Sequence, residues 1–194
     1  MLHLVIEVIQ MSRIGKRELT IPAGVTVTVA SDNTATVKGP LGTMSRQFDP
    51  AMKITIENNT VTVARPNDLK RMKMIHGTTN AHLNNMIQGV VKPFEKTLII
   101  EGVGCRANLK GETVVFDLGY SHPIEYTPPQ GIKVVIEGNT TVKVSGMDKE
   151  LVGQEAAHIR KMRKPIPYVS NKTKAGRGIK YADEVIRKKV GKKA

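Results

Sequence analysis

Tryptophan is absent from the 194 residues and only 4% are aromatic. No platform of stacked rings of the kind that reads single-stranded RNA is therefore expected, and any core must be built from Val, Ile, Leu, Met and Ala. Cysteine occurs once, at Cys105, which excludes an intrachain disulfide and a CxxC metal half-site and implies a reducing compartment. No run of 18 apolar residues occurs, so no membrane-spanning helix is expected. The opening MLHLVIEVIQ has neither the basic start nor the small-residue cleavage site of a secretory signal, and Glu7 with the lack of Arg and Ser makes it a poor mitochondrial leader. It reads as an extension over residues 1–10, with the structured protein starting near Met11.

Constellations for catalysis are also lacking. HExxH, GxSxG and the phosphate-binding P-loop are missing. The five histidines are scattered, and the closest pair, His76 and His82, is six residues apart, on roughly opposite faces of a helix. Gly102-Val103-Gly104 precedes a strand rather than a helix, so it reads as a hairpin or bulge with no helix dipole to offer a phosphate. Cys105 reads as a small buried hydrophobe rather than a nucleophile, because no motif fixes a histidine beside it. No catalytic residue, metal site or cofactor is expected.

What the sequence does have is positive charge, unevenly placed. Its formal net charge is +13, and residues 160–194 hold thirteen Lys or Arg against Asp183 and Glu184 alone. The other 159 residues carry 17 basic and 15 acidic side chains. A like-charged block this dense repels itself and orders when a polyanion supplies counter-charge; the bland alternative is a solubilising tail.

Short β-type runs precede the charged block, at 25–30, 34–38, 43–48, 53–57 and 60–64, separated by Ser31-Asp32-Asn33, Gly39-Pro40-Leu41-Gly42 and Asn58-Asn59. The period then changes to that of a helix over 69–89, with Met72, Ile75, Leu83, Met86 and Val90 as its apolar stripe, Asn67 or Asp68 as N-cap and Gly89 or Pro93 as stop. The second half repeats the plan, with strands at 95–101, 105–110, 113–118, 124–127, 133–137 and 141–145 and a helix over Lys149–Met162 capped by Asp148. Ile54-Thr55-Ile56-Glu57-Asn58-Asn59-Thr60-Val61 matches Val134-Val135-Ile136-Glu137-Gly138-Asn139-Thr140-Thr141-Val142 at an offset of 80, rising to 81 after one inserted Thr. The same hairpin before a capped helix in both halves reads as an internal duplication. The expected fold class is α+β: two duplicated domains over 11–91 and 92–164, each an antiparallel sheet packed against one helix, followed by a basic extension over 165–194.

Arg160, Lys161, Arg163 and Lys164 end the second helix, where its dipole favours positive charge with or without RNA. That explanation does not reach Lys172, Lys174, Arg177 and Lys180, which lie beyond Pro165 and Pro167. Gly176 and Gly178 flank Arg177 and are expected to let the backbone approach phosphate closely. Tyr168 and Tyr181 bracket the segment as packing anchors or phosphate hydrogen-bond donors rather than stacked base partners. Asp183 and Glu184 read as local charge balance. A membrane-binding tail is disfavoured because Val185, Ile186 and Val190 are too few for a bulky apolar face.

Several runs resemble one family in order and spacing. Met11-Ser12-Arg13-Ile14-Gly15-Lys16, Ile21-Pro22-Ala23-Gly24-Val25, Val37-Lys38-Gly39-Pro40-Leu41-Gly42, Gly102-Val103-Gly104-Cys105-Arg106-Ala107, Leu118-Gly119-Tyr120-Ser121-His122-Pro123, Lys149-Glu150-Leu151-Val152-Gly153-Gln154 and Gly176-Arg177-Gly178-Ile179-Lys180-Tyr181-Ala182-Asp183-Glu184 are similar to the sixth large-subunit ribosomal protein in its bacterial form. The resemblance implies a ribosome component, not an enzyme, at the base of the large-subunit stalk beside the sarcin-ricin loop, with neighbouring ribosomal proteins, with translational GTPases nearby and with no membrane partner. It places the chain in the bacterial cytoplasm or, alternatively, in an organelle matrix. It implies binding of large-subunit rRNA chiefly through the second domain and the extension, pointing to Arg163, Lys164, Tyr168, Arg177, Lys180 and Tyr181, with Ser121 and His122 in the hairpin loop. Arg160, Lys172 and Lys174 complete the expected RNA-binding set on charge. The chain departs from the family in having Ile166 within its Pro-x-Pro-Tyr run, about six extra residues before Arg177, Cys105 where an aromatic is usual, and ten residues ahead of Met11 without a counterpart.

Overall fold

The repeated hairpin is where sequence and backbone can be compared most directly. In the first half β5 (Lys53–Glu57) pairs antiparallel with β6 (Thr60–Ala64), setting Ile54 opposite Val63 and Ile56 opposite Val61. In the second, β11 (Ile132–Glu137) pairs with β12 (Thr141–Gly146), setting Val134 opposite Val144 and Ile136 opposite Val142. Asn59 and Asn139, 80 residues apart, both adopt left-handed backbone conformations, at φ 65° and 63°, which asparagine tolerates better than most side chains. Each of their carbonyls accepts a backbone N–H at 2.8 Å, from Ile21 and Ala107 respectively. The likeness thus extends from the side-chain pattern to the turn conformation and its long-range bond.

The computed structural model describes residues 14–57, 59–168, 177–187 and 189, and the chain divides into two compact units, 1–92 and 93–194. The expected extension, residues 1–10, lies outside the described residues.

The first unit holds β1 (Leu19–Thr20), β2 (Thr26–Val29), β3 (Thr34–Gly39), β4 (Gly42–Gln47), β5, β6 and the helix α1 (Lys70–Val91). Its strands form two antiparallel sheets, in the orders β1-β6-β5 and β2-β3-β4, rather than one. Helix α1 packs on β3, β4 and β6, burying Leu83, Met86, Ile87 and Val90 among Leu19, Val37, Met52 and Val61. The N-cap is Leu69, with no side-chain cap, and not Asn67 or Asp68. Asn67 instead accepts the Leu69 N–H at 3.3 Å, and the Asp68 carboxylate is engaged by Arg65 at 2.8 Å. The helix runs through Gly89 and stops before Pro93, which has no N–H to continue it.

The second unit holds β7 (Phe94–Glu101), β8 (Arg106–Lys110), β9 (Thr113–Asp117), β10 (Ile124–Tyr126), β11, β12, α2 (Lys149–Met162) and β13 (Gly178–Tyr181). The Gly102–Gly104 stretch forms the turn between β7 and β8, and Cys105 is buried. Asp148 caps α2 as expected, accepting the Glu150 N–H at 2.8 Å.

The charged extension is not wholly a tail held away from the body: β13 adds to the four-stranded sheet β11-β12-β7-β13, pairing Ile179 with Ile100 and Tyr181 with Leu98. Ile179 is fully buried in the core with Leu98, Ile100, Val142, Ala156 and Ile159. Burying its side chain is worth about 1.5 to 3 kcal/mol, enough to outweigh the repulsion of a few solvated cations.

Candidate nucleic-acid interface

Three stretches converge near the C-terminal end of α2: the loop 118–123 between β9 and β10, the residues that leave the helix, and Arg177 at the entry to β13. The last carbonyls of a helix lack intrahelical donors, and the Tyr120 hydroxyl donates to one of them, Met162 O, at 3.1 Å. The Tyr120 ring then lies beneath the Arg163 guanidinium, 4.5 Å from its centroid, a cation–π geometry. Arg163 Nη1 also donates to Leu118 O. Arg163 is thus held from below by a ring and from one side by a backbone carbonyl.

Gly119 has φ +76°, and a Cβ there would lie 3.3 Å from Arg177 Nη1 and 3.8 Å from Arg163 Nη1. Glycine serves twice: it takes a backbone conformation costly for other residues and leaves room for two guanidinium groups around one point. Among the described residues neither arginine has a carboxylate partner. Two adjacent guanidinium forks without counter-charge form a surface that favours a phosphate or carboxylate ligand. Ser121 and His122 follow on the same loop, both exposed, with Ser121 Oγ 3.3 Å from His122 Nδ1.

The other expected residues divide. Arg160 forms a two-pronged pair with Glu184, through Nε to Oε2 at 2.8 Å and through Nη2 to Oε1, and its Cζ lies 5.6 Å from the centre of the Tyr181 ring. Lys180 Nζ pairs with Glu101 Oε1 at 2.5 Å. Arg160, Lys180 and Tyr181 therefore brace β13 against α2 and β7. Lys164 and Tyr168 are exposed beyond the helix, and Tyr168 forms an isolated parallel bridge with Lys189, whose N–H donates to Pro167 O at 2.9 Å. Lys172, Lys174 and Gly176 lie outside the described residues.

Gly178 does not present backbone to a ligand. It is buried at φ +144°, where a Cβ would fall 2.6 Å from Pro165 Cα and 2.7 Å from Lys164 O. Its role is to let β13 pass the end of α2, where Ile179 N–H donates to Arg163 O at 2.8 Å. The residue sequence reasoning missed is Tyr120, although the Gly-Tyr-Ser-His-Pro run contained it; an aromatic in a glycine turn with cations available is the signal.

The hydrogen bond from Arg160 holds the Glu184 carboxyl below its ordinary value of 4.5, partly opposed by burial. A lowered folded pKa gives stability that is present above 4.5 and lost as pH falls through the folded value. Glu184→Gln should therefore melt below wild type at neutral pH, and the gap should narrow as the pH falls below 4.5 and through the lower folded value; a pH-independent gap would show that the ion pair contributes nothing.

A sequence profile described as Ribosomal protein L6 matches residues 21–92 and 101–181. The chain belongs to the ribosomal protein L6 family. The two matched stretches of the L6 profile fall one in each unit, in keeping with the duplicated α+β fold. The second reaches Tyr181, so the L6 match takes in the loop 118–123, Arg163, Arg177 and the whole of β13. The chain is 55% identical over 182 residues to a large ribosomal subunit protein uL6 of Exiguobacterium sibiricum, covering 94% of this chain and 98% of the relative. Relatives of the same name in Persephonella marina and Staphylococcus carnosus are 52% and 50% identical over the same shares.

Proposed function

We propose that the chain is a structural constituent of the large ribosomal subunit that binds large-subunit rRNA, with no catalytic turnover. Membership of the L6 family and relatives named as large-subunit proteins support the first part. The observation that carries the second is the meeting of Arg163 and Arg177 at Gly119 with no carboxylate partner among the described residues. RNA phosphates would complete this arrangement, with Ser121 and His122 as hydrogen-bonding neighbours and Lys164, Tyr168, Lys172 and Lys174 continuing the contact along the basic segment. The fold holds Arg163 in place before binding, through the Tyr120 ring and Leu118 O, so less of its side-chain freedom is lost on contact. Phosphate contacts fix position, and sequence preference comes from RNA shape.

In this reading the partners are rRNA and neighbouring ribosomal proteins at the stalk base, near the sarcin-ricin loop and the translational GTPases that dock there, in the bacterial cytoplasm. No helix of the described residues is long and apolar enough to cross a membrane.

Equilibrium binding to purified bacterial large-subunit rRNA across a potassium chloride series tests the proposal. Each phosphate contact contributes about 0.7 to 0.9 to the slope of log affinity against log salt. A slope steeper than about −3 is expected; a flat profile would contradict phosphate neutralisation as the binding mechanism.

A further inference from the structure

The near-neutrality of the body conceals an imbalance between the units. Residues 14–92 carry ten Lys or Arg against five Asp or Glu, whereas residues 93–159 carry six against nine. Part of the first unit's excess lies at the N-terminal end of α1, whose first two residues are Lys70 and Arg71. Asn80 Nδ2, from the helix, holds the segment preceding β1 by donating to Ile14 O, Gly15 O and Arg17 O at 2.9, 2.7 and 2.8 Å. Gly15 packs against the His76 ring. This anchoring brings Lys16 near Asp68, whose exposed carboxyl is held below its usual value first by the Arg65 hydrogen bond and then by the charges of Arg65, Lys73 and Lys16.

Near that carboxylate stand Lys16 and, in the first turn of α1, Lys70 and Arg71, all exposed. None of the three forms an ion pair with a described residue. No Asp or Glu occurs anywhere in the 22 residues of α1, and its first turn has no acidic side chain. Cations there oppose the helix dipole, an unfavourable placement of about 0.3 to 1 kcal/mol each. Local rules broken without an internal gain mark functional surfaces.

We propose that this patch, Lys16 with Lys70 and Arg71, is a second RNA-contacting surface, carried by the first unit. The inference rests on the rRNA-binding reading of the chain. An RNA backbone fits better than an acidic protein. Lysine, which supplies two of the three cations, is depleted from protein–protein interfaces although arginine is enriched there, and a protein face mixes its carboxylates with its own cations. A phosphodiester chain carries a charge at every nucleotide with no such dilution. Two surfaces on one chain would also bind more tightly than either alone if both engage the same RNA, since the second contact becomes intramolecular.

The test uses the full chain and purified bacterial large-subunit rRNA. Lys70→Gln with Arg71→Gln should reduce the salt slope by about 1.4 to 1.8, while the melting temperature stays level or rises because charges opposed to the dipole are removed. Arg163→Gln with Arg177→Gln serves as the parallel measurement. A wild-type slope for K70Q/R71Q beside a reduced slope for R163Q/R177Q overturns the second surface alone. Wild-type slopes for both variants overturn the rRNA-binding reading as well. An unchanged slope for K70Q/R71Q together with loss of large-subunit assembly in cells assigns the patch to a protein partner, and also overturns the proposal.

Discussion

Ile179→Ala is expected to destabilise the second unit by about 2 to 5 kcal/mol, because it empties a fully buried position shared with Leu98, Ile100 and Ile159. Urea melts should move to a lower midpoint. Hydrogen exchange should quicken in β7, β12 and α2 while the first unit's amides stay protected, as expected when opening is confined to one cooperative region. Removing residues 165–194 altogether should cost more, since the whole of β13 goes and β7 loses the partners of Leu98–Glu101. A truncation that fails to bind RNA would then report unfolding as much as lost charge. Gly178→Ala should damage the same junction by a different route, forcing a Cβ against the Lys164 and Pro165 backbone. If Ile179→Ala melts like wild type, β13 is not part of the core.

Arg163→Gln with Arg177→Gln should reduce the salt slope for rRNA by about 1.4 to 1.8. Over a fourfold rise in salt, that removes about a tenfold share of the affinity change. Neither arginine pairs with a described carboxylate, so the melting temperature should fall little apart from the Tyr120 contact and the bond to Leu118 O. Arg160→Gln and Lys180→Gln should behave in the opposite sense, lowering stability more than slope, because each leaves a carboxylate behind, Glu184 or Glu101. The contrast separates cations that hold the fold from cations open to a ligand. Equal effects on the slope from both pairs would show that the internal ion pairs open when RNA binds.

This division among the cations was the part least legible in the sequence. Composition located the charge in residues 160–194 but gave no means of telling Arg160 from Arg163, two residues that differ only in which way they leave the last turn of α2. One meets Glu184 and the other meets Tyr120. The strand β13 was hidden for a related reason. Its apolar residues are Ile179 and Tyr181, too few to establish a period of two among lysines and glycines, and its partner β7 lies some 80 residues earlier. The first strand, Leu19–Thr20, is two residues long and carries no periodic signal of its own.

By contrast, the hairpins and both helices were readable because their information is local. Alternating Val and Ile, an Asn or Gly at the tight turns, Asp148 before α2 and Pro93 after α1 each act within a few residues. The duplication was readable because the spacing survived with a single insertion. The helix-cap expectation for α1 failed because Asp68 found Arg65 in the folded state, a partner that a propensity argument does not contain.

The account stands on the chain residing in the large ribosomal subunit through contacts with RNA phosphate. Sucrose-gradient sedimentation of cell extract, probed for this chain, tests that most directly. At low salt it should travel with the large-subunit particle, and washing at rising salt should release R163Q/R177Q before wild type. Finding the wild-type chain at the top of the gradient at low salt, away from the large subunit, would contradict the account.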